Sequence, residues 1–440
     1  MDAAYSSPGR ARFALCVLTA IAVFTAMDVG VAGLLIEPIK HELDLSDVQV
    51  GLAGGTTFAL AYGLLCPPMG MLVDRFNRVR LLLAALLVWA LAMTLAGLSQ
   101  GVVLLAVSKA ALGAASAITY PAAMSLVADY FPPNRRAMAT STYAVGTSVG
   151  HAAAVLVGGL GYAALSQQID ANPQALLGLN SWRAVFVGFA LFGLLLMPFV
   201  ATMREPARME VEQAGGGTFR ELWSYRGFLV PLFVGMMFMV GASTVVVVWA
   251  PPALMRLYGQ QPGQFAGWFS AVTLIAGIAG YFTAGAVAEL ARRRGGGRLV
   301  MLPAVIGAAL CVPGAFLATM PDVFWFGAAS ALFMASFGIA IAVPIIAISL
   351  RVPNELRGMT MGLNVVMMGV GAALSPPLVA LVSETLGGEA MLGDAMAGVA
   401  APFALLAALC FWNATLARST EKRSDDRGYR HRMRLTSSKP

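Results

Sequence analysis

Long stretches of this chain contain no Asp, Glu, Lys or Arg, and they limit what it can fold into. They are 48–73, 81–108, 110–128, 137–169, 184–203, 227–255, 257–288, 299–321, 323–350, 358–383 and 395–417. One more, 13–27, continues to 36 interrupted only by Asp28. About 20 apolar residues in an α-helix cross the hydrocarbon of a bilayer. No water reaches the backbone there, so each stretch must satisfy its own N–H and C=O groups and is therefore helical. Ser99-Gln100-Gly101 splits the run 81–108 at a turn. Twelve helices follow, near 13–36, 48–72, 81–99, 102–130, 138–165, 183–203, 227–255, 265–288, 299–319, 322–350, 358–383 and 396–417. Of the 440 residues 58% are hydrophobic and 12% charged, against ~25% charged in soluble domains. That balance excludes a soluble enzyme, a disordered chain and a secreted disulfide scaffold. Cys16, Cys66, Cys311 and Cys410 lie inside apolar runs without C-x-x-C spacing, so they read as packing residues.

Basic residues orient the helices, because cytoplasmic loops retain Lys and Arg. With both termini inside, 25 of the 29 Lys and Arg fall in cytoplasmic segments. The opposite loops hold only Lys40 and Arg256, with Arg183 at the mouth of the sixth helix and Lys109 within the fourth. The net charge of +7 therefore reflects topology, not nucleic-acid binding. The outer loops carry Glu37, Glu42, Asp44, Asp47, Asp170, Glu384, Glu389 and Asp394. Arg10 and Arg12 before an apolar stretch imitate a signal peptide, but Asp28 and the continuation to Ile36 argue for a retained helix. The basic tail from Arg418 to Lys439 reads as disordered, with contact to anionic lipid as the alternative. The expected location is a bacterial inner membrane, with both ends cytoplasmic.

The chain repeats itself. Pro133-Asn134-Arg135-Arg136-Ala137-Met138 has a counterpart in Pro353-Asn354-Glu355-Leu356-Arg357-Gly358-Met359, and Ser148-Val149-Gly150 matches Gly369-Val370-Gly371 at an offset of 221. Gly70 to Arg80, GMLVDRFNRVR, is echoed by Gly285 to Arg298, GAVAELARRRGGGR, with Glu289 in place of Asp74. The longest loop falls at the centre and contains Gly215-Gly216-Gly217. The organisation is a tail at 1–12, six helices at 13–203, a linker at 204–226, six helices at 227–417 and a tail at 418–440. Transporters that rock two halves about a central site are built this way.

The GMLVDRFNR string resembles the signature loop between helices 2 and 3 of the major facilitator superfamily. A closer resemblance is to its spinster-like branch. It is carried by Leu45-Ser46-Asp47, Asp74-Arg75-Phe76-Asn77-Arg78, Ala128-Asp129-Tyr130-Phe131-Pro132-Pro133, and Trp249 through Arg256 to Tyr258-Gly259. The resemblance implies an all-α membrane protein of two pseudo-symmetric six-helix bundles, with helices 1 and 4 lining a central cavity. Spinster-like proteins usually carry Asp-Arg in helix 1, where this chain has Asp28-Val29. They usually carry Arg and, seven residues on, Glu in helix 4, where it has Lys109 and Ser116. Helix 5 has Gly150-His151 where drug antiporters have Gly-Pro, which speaks against drug/proton exchange. The resemblance also implies a cytoplasmic gate at Gly70, Asp74, Arg75, Arg78 and Asp129. In it Asp74 faces the start of helix 11 and Arg78 pairs with Asp129. A carboxylate is stabilised at a helix N-terminus; the alternative is that the loop arginines only set topology.

No P-loop suggests ATP drive, and no H-E-x-x-H or cysteine cluster suggests a metal; no cofactor is expected. Gly146-Thr147-Ser148-Val149-Gly150 is a literal G-x-S-x-G followed by His151. A nucleophile elbow needs a strand-turn-helix setting, and this segment is mid-helix, so an intramembrane serine hydrolase is only a remote alternative. His151 shares a face with Ser148 and Ser141; lining a polar cavity and simple hydrogen bonding are equal readings. Lys109, Gly113, Ser116 and Tyr120 share one face of helix 4. Similar faces are Ser270, Thr273, Gly277 and Tyr281 in helix 8, and Asn364, Met368, Gly371 and Ser375 in helix 11.

Asp28 lies eight residues before Ile36, and Lys109 lies eight residues after Gly101 on a helix running the other way. At 1.5 Å per residue both sit roughly 12 Å deep. Charges at that depth need partners or water, and because the resemblance places helices 1 and 4 on the central cavity, the two are expected to face it together. The C-terminal half has almost no intramembrane charge, so recognition of charged groups falls to the N-terminal half. The expected function is that of a monomeric secondary transporter, not an enzyme. It would move a small organic or amphipathic solute, with anionic and lipid-like molecules among the candidates, by alternating access. Proton coupling is expected through Asp28, with Lys109, Ser116, Tyr120 and His151 around the site. An uncoupled facilitator or lipid carrier is the alternative.

Overall fold

A computed structural model describes residues 7–172, 174, 176, 178–208 and 218–416. The glycine triplet 215–217, the basic tail and the first residues of the N-terminal tail lie outside them. Among the described residues, twelve helices are long and apolar enough to cross a membrane. They are α1 (Pro8–Leu34), α2 (Asp47–Arg75), α3 (Arg78–Gly97), α4 (Val102–Tyr130), α5 (Met138–Ala171) and α6 (Ser181–Ala201), then α7 (Arg226–Tyr258), α8 (Pro262–Ala291), α9 (Leu299–Thr319), α10 (Val323–Arg351), α11 (Glu355–Leu386) and α12 (Glu389–Leu416). No strand occurs among the described residues.

The first helix ends at Leu34, short of the expected 36. A separate helix, Ile36–Leu43, follows and closes on Asp44 in the left-handed region at φ 50. Ser46 and Gln49 form a capping box at the start of α2, which satisfies two backbone donors that would otherwise face the membrane edge. One π-turn, Leu52–Thr56, interrupts the same helix. Helix α5 runs to Ala171, beyond the expected 165, because nothing in Ser166-Gln167-Gln168 breaks a helix.

Close approach between helices explains the repeat. A Cβ on Gly150 of α5 would lie 2.3 Å from Val23 O of α1, and one on Gly371 of α11 would lie 2.0 Å from Met237 O of α7. Small residues let membrane helices meet in this way. The segment around Ser148 is thus a packing motif, repeated where the second half needs the same contact.

Two faces can be distinguished: the linker face, where α6 is joined to α7, and the far face opposite. The main core runs through α7–α12 and joins far-face residues of the first half, among them Val31, Leu34, Ile36 and Ile39. A second core, including Val17, Leu18, Val73, Leu126, Tyr130 and Tyr143, is built from α1–α6 alone toward the linker face. Helices α2 and α11 show the same divergence. Gly63 and Gly369 touch at mid-membrane, whereas Gly70, Gly358 and Gly362 have no heavy atom within 4 Å of where a Cβ would sit. The halves are joined on the far face and splayed toward the linker face.

Candidate functional site

The two deep charges meet. Lys109 Nζ of α4 donates to Asp28 Oδ1 of α1 at 2.7 Å, and the residues are 2% and 1% exposed. The ammonium also lies 5.1 Å from the Phe186 ring centroid of α6, a cation–π contact that helps hold it out of water. The pair forms part of the wall of a cavity of about 160 Å³. Phe58, Tyr62, Thr244, Val248 and Ala372 also line it, drawn from α2, α7 and α11, so both halves contribute. Among the described residues, Asp28 and Lys109 are the only charged ones in that wall. The rest is apolar or aromatic apart from two hydroxyl-bearing side chains, a lining suited to one charged group on an apolar body.

The other expected site residues are not in this wall. Ser116 is buried, and its hydroxyl has no partner among the described residues. Tyr120 is half-exposed, its ring 6.1 Å from that of Tyr143. His151 is exposed on α5, at the position that the offset of 221 relates to the cavity residue Ala372. Ser148 Oγ donates to Ala144 O at 3.4 Å within its own helix. The polar faces of α8 and α11 are largely turned inward on their own backbones: Ser270 donates to Ala266 O, Thr273 to Phe269 O and Ser375 to Gly371 O.

A second cluster, unpaired in the sequence reading, closes the far face. Arg256 at the end of α7 forks onto Asp47, with Nη1 to Oδ2 at 2.7 Å and Nη2 to Oδ1 at 2.8 Å. Its Nε reaches Glu37 Oε1 at 2.7 Å. Lys40 adds an ion pair to Asp47 at 2.8 Å and a bond to Glu389 of α12. Three residues of the first half are thereby tied to two of the second. Burial opposes the charge on Lys40, but the bonds to Asp47 and Glu389 outweigh it and raise its pKa. A raised lysine pKa contributes stability below the ordinary value of about 10.4, lost only as pH rises beyond it. Lys40 therefore keeps its charge, and its bonds to Asp47 and Glu389, at neutral pH. Beside it Glu42 accepts from Asn180, Trp182 and Arg183. Those bonds overcome burial and hold its pKa below the usual carboxylate range.

At the linker face Arg78 is fully buried and bonds Asp129 of α4. It also donates to Glu205 Oε1 at 2.6 Å and Ser125 Oγ at 2.9 Å. Glu205, which the sequence reading did not single out, accepts from Val79 N as well, at 3.1 Å, and so caps α3. Arg208 donates to Val73 O and Phe76 O. All of these contacts lie in the first half and the start of the linker. Asp74 and Arg75 are exposed, and Asp74 has no hydrogen bond or ion pair among the described residues.

The model of the Major Facilitator Superfamily matches residues 18–350 and 232–435. An MFS-type efflux pump of Mycolicibacterium smegmatis is 26% identical over 420 residues, covering 93% of each chain. Human protein spinster homolog 1 is 28% identical over 315 residues, 65% of this chain and 56% of that protein. Among solved structures, a bacterial homologue of the human lysosomal transporter Spinster, inward-facing and occupied, superposes with a TM-score of 0.77. It is 22% identical, and the match covers 95% of this chain and 99% of that one.

Proposed function

Because the chain belongs to the major facilitator superfamily, a family of membrane transporters, we propose that it carries a small organic or amphipathic anion by alternating access, driven by protons. The observation that carries this reading is the Asp28–Lys109 pair, the sole charges in the wall of a cavity shared by both halves. Protonating Asp28 releases Lys109 to bind an anionic group. Deprotonation restores the pair and displaces the anion. The aromatic and aliphatic wall takes the rest of the solute, with exposed Tyr120 and His151 as the polar groups on its route. The bundles 13–203 and 227–417 are the moving bodies, and one chain encloses a complete site, so the unit is a monomer. In proteoliposomes an imposed proton gradient should concentrate such an anion inside or outside, and a protonophore should abolish that. Equilibration that a protonophore leaves untouched would make the protein an uncoupled facilitator instead.

The gate reading gains detail from the loop geometry. The Arg78–Asp129 contact is intact while the linker face is open, so it serves as a rigid brace. Asp74, Arg75 and Gly70 are the parts free to meet α11 when that face closes; Gly70 has the open space that such an approach would fill. With the linker face cytoplasmic, in a bacterial inner membrane, a cysteine near Asn172 labels from outside intact cells and one near Gly216 does not. The reverse labelling would overturn this orientation.

A further inference from the structure

The junction of α2 with α11 on the far face contains a carbonyl that its own helix cannot satisfy. Proline lacks a backbone N–H and so removes the bond to the carbonyl four residues earlier. In α11 Pro377 leaves Ala373 O without that donor. Thr56 of α2 fills the place: its Oγ1 donates to Ala373 O at 2.6 Å across the two halves. Thr56 is delivered there by the π-turn Leu52–Thr56, which it ends. In that turn Thr57 N–H bonds Leu52 O, five residues back. Ala53 O is thereby deprived of its own helical donor, and Thr57 Oγ1 supplies one at 2.6 Å. Two adjacent threonines thus satisfy two carbonyls orphaned by two different irregularities, one in each half.

The surroundings fit a joint that forms closely and separates cleanly. A Cβ on Gly51 would lie 3.2 Å from Pro376 C, and one on Gly55 would lie 2.7 Å from Pro376 Cγ. Glycine at these places lets the π-turn seat against the double-proline bend. Trp249 Nε1 of α7 donates to Pro376 O at 3.2 Å and holds the bend from the other side. Gly54, Gly55 and Ala372 line the cavity, so the joint forms part of its wall. π-turns inside α-helices recur at functional sites.

We propose that Thr56 is a positioning residue of the transport cycle, whose hydroxyl latches α2 to the proline-freed carbonyl of Ala373 and biases the protein toward the far-face-closed state. When the far face opens, water takes the place of the hydroxyl on Ala373 O, so neither state leaves the carbonyl unsatisfied. The inference concerns state occupancy without substrate and holds whatever the solute or drive.

The test uses the full chain in nanodiscs, with spin labels at two exposed far-face positions on opposite halves, Gln167 of α5 and Phe324 of α10. Distance distributions then report the ratio of far-face-open to far-face-closed molecules. Thr56→Val keeps the side-chain shape but removes the donor, and it should raise that ratio about fivefold, the worth of one net hydrogen bond. Thr56→Ser keeps the hydroxyl and should match the parent. Pro377→Ala returns a backbone N–H to Ala373 O, and in that background Thr56→Val should have less than about half its effect, because the carbonyl keeps a donor. An unchanged ratio in folded Thr56→Val protein overturns the proposal. So does an equal shift with and without Pro377, which would make Thr56 a packing residue only.

Discussion

Asp28→Asn should abolish proton-driven accumulation while leaving counterflow exchange of an anionic solute within about threefold of the parent. The substitution keeps the size of the side chain and an oxygen for Lys109 Nζ, now 2.7 Å from Asp28 Oδ1. It removes the one carboxylate among the described residues of the cavity wall. Lys109, beside the Phe186 ring, is left free to hold an anion, so binding and exchange continue. What is lost is the competition between carboxylate and substrate anion for one ammonium. A static ion pair predicts a different result. Leaving Lys109 without its carboxylate costs about 3–5 kcal/mol on either reading, but a purely structural role would depress exchange and accumulation together instead of separating them. Accumulation that persists in a well-folded Asp28→Asn protein would remove Asp28 from the coupling role.

Arg256→Gln should open the far face. Arg256 is the hub of the cross-half cluster, bonded to Asp47 through two nitrogens and to Glu37 through a third. Its loss leaves two largely buried carboxylates facing each other with only Lys40 between the halves. At the cost of a broken buried pair, about 3–5 kcal/mol, the balance of states should move by roughly a hundredfold or more toward far-face-open. The spin-label pair at Gln167 and Phe324 reads this directly, as a long distance replacing a short one. Asp74→Asn should act in the opposite sense, enriching the state described here, because it weakens only the linker-face closure. A short far-face distance retained in Arg256→Gln would show that apolar packing alone, such as Gly33 against Val247 and Val248, keeps that face shut.

Much of this architecture is legible in the chain because lipid is a uniform and demanding solvent. The number of spans, their order and most of their ends follow from where charge is absent. The equal depths of Asp28 and Lys109 follow from a fixed rise per residue, but their meeting was an expectation only because the resemblance places helices 1 and 4 on one cavity. The loop residues Arg78 and Asp129 were legible through a resemblance, not through their spacing. Glu205, Thr56 and the Arg256 cluster were not legible. Glu37, Asp47 and Glu389 stood among eight outer acids, with nothing local to show which would find Arg256. Neither was the π-turn, since Leu52-Ala53-Gly54-Gly55-Thr56 reads as ordinary helix.

The sequence by itself determined the helices, their pseudo-repeat, the family resemblance and the scarcity of charge in the second half. Each of these depends on composition or periodicity within a segment, and the membrane enforces them one segment at a time. Only the tertiary structure decided which far-face charges pair, which carbonyl Thr56 reaches and which face is open. Those outcomes depend on how each helix is rotated and how closely it approaches its neighbours. A helix that is apolar on nearly every side carries little trace of either. In water a polar face would reveal the rotation, but between helices and lipid the facing sides are both apolar. The choice is then made by glycine contacts, a proline-freed carbonyl and a few buried charges acting across the bundle.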